Sequence, residues 1–337
     1  MDLRASDEQI LLRDMVRRFL ADSSPAADAG KGPLPPADWR AMAELGLLAV
    51  TLPDHAGGMG GGPQDAVIVA EELGRAVAIT PFAETILGAA DLIARHGTTD
   101  DIARWATPAV EGTMRIALAE GQADDRDGML SGSCPLVRWG AEADAFVILS
   151  DARAWLVASD APGLSRTPSR LADGSMAATL TLNGCAATAL RVTADDLARA
   201  IAMVQLGYVA EMVGMMATLI DTTVDYARQR RQFGTPIGTF QVVQHKLARL
   251  FVKLEQSRSL LMKASATPRD APAFVRNVTG AKAYVAEAAQ HVAEEAVHLH
   301  GGMGVTDELV VGRALRRIII LARLFGRADE ARQRLAA

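Results

Sequence analysis

Two cysteines, Cys134 and Cys185, are too few in 337 residues to make a disulfide framework, so a reducing setting such as the cytoplasm is expected. There is no basic block and no interleaving of basic and aromatic residues: Lys and Arg are scattered and the net charge is −5, which argues against a nucleic-acid partner. The chain shows no run of about 18 apolar residues, so no membrane-spanning helix is expected. Its first residues, Met1-Asp2-Leu3-Arg4-Ala5-Ser6-Asp7-Glu8, are charged and carry no apolar signal core. Neither an internal repeat nor a low-complexity tract is visible.

What is present is a large apolar share, 50%, on a chain long enough for two or three domains. The N-terminal third reads helical. Ser6 and Gln9 fit a capping box, and Ile10, Leu11, Met15, Phe19 and Leu20 recur at helical spacing. A break at Pro33-Leu34-Pro35-Pro36 precedes a second helix from Trp39 to Leu48. The run Gly57-Gly58-Met59-Gly60-Gly61-Gly62-Pro63 must be a loop, and helical patterning then continues to His96. From about Thr113 the pattern changes to short apolar runs bounded by Gly, Asp and Ser, at 115–119, 145–149, 154–158 and 178–182. These predict a small β domain of hairpins. From about Thr193, segments 194–230, 239–267, 270–300 and 306–325 predict an antiparallel bundle of four long helices. The expected fold class is α+β: a helical domain over 1–112, a β-barrel or sheet domain over 113–192, and a four-helix bundle over 193–337.

Two motifs stand out in the last region. Arg230-Arg231-Gln232-Phe233-Gly234 runs on into Ile237-Gly238-Thr239-Phe240-Gln241, and His298-Leu299-His300-Gly301-Gly302-Met303-Gly304 follows later. Read alone, the first is a helix end with basic residues complementing the dipole, and the second is a helix-to-helix turn with Thr306 as the next N-cap. Read functionally, the small residues let backbone N–H groups approach a pyrophosphate while Arg230 supplies a bidentate charge partner. Neither glycine cluster sits in a βαβ unit, so a Rossmann site is not indicated.

Taken together, the two motifs and the α–β–α order resemble the acyl-CoA dehydrogenase family over essentially the whole chain. Glu71-Glu72-Leu73-Gly74-Arg75 is similar to that family's N-terminal helical domain. The resemblance implies FAD as cofactor, held where the β domain meets the bundle at a subunit interface, and a bundle that mediates tetramers. It implies that Arg230, Gln232 and Phe233 hold the pyrophosphate and adenine, with Phe240, Gln241 and Val243 on the next turn. It further implies that His298, Leu299, His300, Gly301 and Gly302 grip the same cofactor from the neighbouring subunit. The implied substrate is an acyl-CoA thioester and the implied acceptor an electron-transferring flavoprotein, in fatty acid or steroid catabolism.

The chain departs from the family where chemistry is expected. The reaction needs a carboxylate to take the α-proton. One family branch carries it after the Gly-Gly loop, where Phe325-Gly326 stand here; another carries it on the first bundle helix, where Val204 stands, followed by Gln205. Glu211 is the remaining candidate base, with a partnered helix carboxylate as its plainer reading. The family's Thr-Glu-Pro turn appears as Ala119-Glu120-Gly121, and its Gly-x-Lys-x-x-Ile-Thr-Asn stretch aligns on Gly132 to Trp139. Arg138 and Trp139 are thereby expected to crowd the flavin ring.

Metal binding is not indicated, because His298 and His300 are two apart on a helix, and His291 or His245 adds no ligand spacing. Met203, Met212, Met215 and Met216 read as core. Ser165, Ser169 and His245 lack a nucleophile motif. Three readings follow. The chain is the base-less partner of a second acyl-CoA dehydrogenase chain in a homo- or hetero-oligomer, a dimer or tetramer. Alternatively it is self-sufficient with a displaced base, or it is a helical scaffold that has lost flavin.

Overall fold

The computed structural model describes residues 6–23 and 31–336. The five N-terminal residues, read above as part of a charged start, lie outside them. The described chain forms two compact units. One gathers the residues up to Pro33, Val67–Ile79 and everything from Gln205 on. The other gathers Leu34–Ala66 and Thr80–Val204.

The second unit contains the β structure. Its strands are β1 (Ile116–Glu120), β2 (Gln122–Arg126), β3 (Met129–Arg138), β4 (Ala145–Ser150), β5 (Arg153–Ala158), β6 (Leu164–Arg170), β7 (Met176–Ala186) and β8 (Thr188–Leu190). They form two four-stranded sheets, ordered β1-β4-β5-β8 and β2-β3-β7-β6. The sheets share a core to which Ala117, Phe146, Ile148 and Trp155 contribute from one side and Leu130, Cys134, Leu180 and Cys185 from the other. Each expected apolar run is a strand here. The expectation of hairpins alone needs correction, because β1 pairs with β4 in parallel, Ile116 opposite Ala145. The chain between them leaves to build the facing sheet, and apolar runs do not report which neighbour a strand takes.

The same unit holds a π-helix, Phe82–Ala90, whose nine residues are all buried. Thr85 Oγ1 donates to Ile116 O at 2.9 Å, fixing this helix to β1. The helix Pro36–Glu44 starts on a proline at N1, earlier than the Trp39 start expected, and ends before Gly46 at φ 76. In the glycine loop, a Cβ on Gly58 would fall 1.9 Å from Leu52 O, so only glycine fits the close backbone approach.

In the first unit, both bonds of the capping box are made: Gln9 N to Ser6 Oγ and Ser6 N to Gln9 Oε1, each 3.2 Å. They open the helix Asp7–Ser23. The bundle helices are Ala194–Gln229, which enters this unit at Gln205, then Gln241–Ser265, Phe274–His300 and Val310–Arg323. A further helix, Ala328–Ala336, was not expected from the sequence. The 36-residue helix Ala194–Gln229 is long and apolar enough by composition to cross a membrane, although polar residues such as Gln205 and Glu211 interrupt its apolar run. Its most apolar stretch is 94% buried within the protein.

Helix Pro63–Arg75 crosses that helix with backbones in contact. A Cβ on Gly74 would lie 2.1 Å from Glu211 O, and one on Gly214 would lie 2.1 Å from Glu71 O. Thr218 Oγ1 then reaches Arg75 O at 2.7 Å, satisfying a carbonyl at the helix end.

Candidate functional site

The helix Ala194–Gln229 ends in a two-residue hairpin. Arg231–Gln232 pairs with Thr235–Pro236, and the turn residues Phe233 and Gly234 have φ of 52° and 81°. Positive φ at both central positions is the type I′ geometry that Asn-Gly normally satisfies without strain. Phenylalanine in the left-handed region costs about 1 kcal/mol or more. It gains no burial in return, being 92% exposed, with only an edge-on contact to Phe240 at 6.3 Å. Arg230 N donates to Tyr226 O at 2.8 Å and Arg230 O accepts from Ile237 N at 2.8 Å, so the backbone at Arg230 is fixed. Arg230, Arg231, Gln232 and Gln241 are exposed, whereas Val243 is buried.

The helix Phe274–His300 closes on Gly301, at φ 65° and ψ −145°, a conformation open only to glycine. The glycines after it divide by role. A Cβ on Gly304 would strike Val297 O at 2.7 Å and one on Gly312 would strike Gly304 O at 2.8 Å, so both are packing glycines. Around Gly301 and Gly302 nothing lies within 4 Å of a Cβ, and packing gives no reason for Gly302. Its bare backbone faces solvent. His298 is 73% exposed and stands 3.5 Å from Glu295. The hydrogen bond from Lys246 to Glu295, 2.7 Å, holds that carboxyl below the usual range. Leu299 is half-buried. His300 differs from its neighbours: it is buried, 4% exposed, with its ring stacked on Tyr226.

The positions where a base was sought hold none. Val204 is fully buried, and its Cγ2 lies where a Cβ on Gly88 would come within 2.7 Å, so it packs over the π-helix. Phe325 stands at φ 50° and Gly326 at φ 101°. The Phe325 carbonyl accepts from Gln205 Nε2, and its ring lies 6.2 Å from that of Tyr208. Glu211 is buried and accepts from Arg317 Nη2 at 2.7 Å, both side chains 1% exposed. That is the partnered carboxylate of the plainer reading. Sequence reading passed over Lys282, which is fully buried, donates to Leu321 O and lies 5.3 Å from the Tyr208 ring centre. Burial brings its ammonium down to a pKa of about 7.

In the β unit, the two stretches assigned to the ring end come together. Glu120, Gly121, Gly132, Ser133 and Pro135, with Asp124 and Asp151, line a cleft of about 880 Å³. Arg138 and Trp139 do not crowd it, contrary to expectation. They are 2% and 1% exposed, and Arg138 donates to the buried Glu84 of the π-helix while its guanidinium packs 4.9 Å from the Trp139 ring centre. A β-bulge between Cys134 and Val137 shifts the register of β3, so that Val137 faces the inter-sheet core, Arg138 at the strand end meets Glu84, and Trp139 lies just beyond it at φ 63°. Glu84, the buried counter-charge that makes this possible, carries no motif and was not visible in the sequence.

An α+β chain whose helical bundle presents paired arginines, an exposed aromatic hairpin and a bare Gly-Gly backbone is built as a dinucleotide-holding protein. Models of the N-terminal and C-terminal domains of acyl-CoA dehydrogenase match residues 6–113 and 195–337, and the chain belongs to the acyl-CoA dehydrogenase family. It is 31% identical to acyl-CoA dehydrogenase IpdE2 of Mycolicibacterium smegmatis, over 98% of this chain and 99% of that one. It is 30% identical to acyl-CoA dehydrogenase FadE27 of Mycobacterium tuberculosis, over 82% of this chain and 80% of the relative. Among solved structures it resembles the ChsE4–ChsE5 complex from Mycobacterium tuberculosis, with a TM-score of 0.91 and 27% identity over 100% of this chain and 98% of that one. It also resembles the Tcur3481–Tcur3483 steroid ACAD, with a TM-score of 0.90 and 28% identity over 98% and 97%. The family comprises FAD-dependent oxidoreductases. The residues here are chemically suited to that cofactor: exposed guanidinium groups can neutralise a pyrophosphate, an exposed aromatic ring can pack on adenine, and the open Gly301–Gly302 backbone offers unshielded N–H groups.

Proposed function

We propose that this chain is the base-less partner in a heteromeric acyl-CoA dehydrogenase, in which a second chain of the same family supplies the carboxylate. The observation that carries this reading is Phe325, which stands at one family base position with its carbonyl anchored by Gln205. Val204 at the other position is equally unable to take a proton. Glu211, the carboxylate on which a self-sufficient enzyme would depend, is engaged by Arg317 within the bundle.

In this reading Arg230, Gln232, Phe233, Phe240, Gln241 and Val243 hold the dinucleotide end of FAD, and His298, Leu299, Gly301 and Gly302 hold it from the other side of a subunit interface, with the buried His300 behind them. Bound flavin supplies the hydride acceptor for α,β-desaturation of an acyl-CoA thioester. What this chain supplies is binding and orientation. Its arginines neutralise the pyrophosphate, Phe233 and Phe240 offer ring faces to adenine, and the Phe325 turn closes the bundle without offering a proton acceptor. The relatives that assemble as named pairs, one of them a steroid ACAD, support a hetero-oligomer and a bulky acyl group. Reoxidation by an electron-transferring flavoprotein, a cytoplasmic location, and the division into 1–112, 113–192 and 193–337 complete the proposal. The flavin-free scaffold reading is disfavoured by Phe233, whose strained, 92% exposed ring gains only an edge-on contact with Phe240 among the described residues.

Purification of the chain alone tests the proposal. Substoichiometric FAD and no acyl-CoA oxidation are expected, with both restored by a glutamate-bearing family chain expressed beside it. A stoichiometric yellow protein that oxidises acyl-CoA unaided would overturn it.

A further inference from the structure

His300 matched a cofactor-contacting position by sequence, yet it is buried and takes no part in the exposed face that His298, Gly301 and Gly302 present. Its Nδ1 lies 2.8 Å from Ala296 O, and because a carbonyl can only accept, Nδ1 carries the proton and donates. The ring stacks on Tyr226 with centroids 4.3 Å apart and planes at 27°. Tyr226 in turn accepts the backbone N–H of Arg230 through its carbonyl, at 2.8 Å. One turn of helix therefore separates the stack from the pyrophosphate arginine.

On the other side, His300 is the root of the Gly-Gly loop. A Cβ on Gly301 or Gly302 would meet nothing within 4 Å, whereas at Gly304 the loop returns against the last turn of the same helix, where a Cβ would stand 2.7 Å from Val297 O and 3.2 Å from the His300 Cβ. The loop is thus anchored to the last turn of this helix, which the His300 ring ties to Tyr226. An aliphatic residue would fill the same buried volume without a polar atom to satisfy, so volume alone does not account for an imidazole there.

We infer that His300 and Tyr226 form a positioning pair joining the chain's two dinucleotide-holding segments, so that neither keeps its binding geometry without the other. His300 on this account touches no cofactor. The inference rests on the assignment of Arg230 and the Gly301–Gly302 loop to FAD. Because the two segments serve opposite sides of a subunit interface in that assignment, the pair also links adjacent cofactor sites through one chain.

FAD titration of the full chain, in the assembly in which it purifies, followed by flavin fluorescence, separates these ideas. R230M is the reference and is expected to weaken binding about tenfold or more. H300F and H300L both delete the Nδ1 bond, but only Phe keeps the stack. H300F is expected to retain near wild-type affinity, and H300L to lose about two- to tenfold. The H300L and R230M effects should be less than additive in a double-mutant cycle. Equal affinities for H300F and H300L, or an additive cycle, would overturn the positioning pair while leaving the site assignment intact. If R230M binds FAD like the wild type, or the wild type takes up no FAD in any assembly, the site assignment falls and the pair with it.

Discussion

Phe233 and Glu211 show how much a single residue discloses once its surroundings are known. The motif around Phe233 was legible in the sequence, but its strain and exposure were not, because a left-handed φ depends on the hairpin register that Gln232 and Thr235 set. Asparagine accepts that conformation readily. F233N is therefore expected to raise stability by a few tenths to about 1 kcal/mol in urea unfolding, while FAD affinity drops several-fold with loss of the aromatic face. A variant that is both less stable and unchanged in FAD binding would show that the phenylalanine serves the fold.

For Glu211, simple neutralisation is a poor test of a catalytic role, since E211Q removes the counter-charge that Glu211 gives the buried Arg317 and is expected to cost up to about 3–5 kcal/mol. The double variant E211Q/R317M removes both charges and should recover most of that loss. If the assembled enzyme with the double variant turns over acyl-CoA normally, Glu211 is structural; loss of turnover with stability and flavin retained would restore it as a base.

At the scale of elements, periodicity located the long helices and the strands β1, β4, β5 and β7, because apolar spacing is a local property, and left out β2, β3, β6 and β8, which carry no such run. It did not give partners. The parallel β1–β4 pairing, the bulge in β3 and the inward turn of Arg138 toward Glu84 depend on residues distant in sequence. The helix crossing at Gly74 and Gly214 falls between these cases. Gly74 sat inside a family-like stretch, yet its physical reason, a backbone contact with Glu211, needed the partner helix in place. Since each glycine's missing Cβ is replaced by a backbone atom about 2 Å away, neither helix can make room by rotating a side chain. G214A is expected to cost about 1–3 kcal/mol or more, read as a lower urea midpoint. An unchanged midpoint would mean that the helices separate freely.

Stability of the whole molecule brings in Lys282, which no motif marked because a lysine amid alanines reads as an exposed helix position. In the folded chain burial holds its pKa at about 7, and in the unfolded chain it returns to about 10.4. Between those values the unfolded chain carries a proton that the folded chain lacks, so this residue makes stability rise with pH, by at most about 1.4 kcal/mol per unit. Below about pH 7 both states are protonated and the full cost of burying an ammonium remains, offset only in part by Leu321 O and the Tyr208 face. Replacing the lysine by methionine, similar in length and uncharged, removes the proton but keeps the packing. Urea unfolding across about pH 7 to 9 should then show a shallower rise for K282M than for the wild type, and the stability gap between the two should narrow as pH increases. Other titrating groups contribute equally to both curves and cancel in the difference. Parallel curves would mean that Lys282 is protonated to the same extent in folded and unfolded chains, and that the bundle accommodates a buried ammonium without penalty.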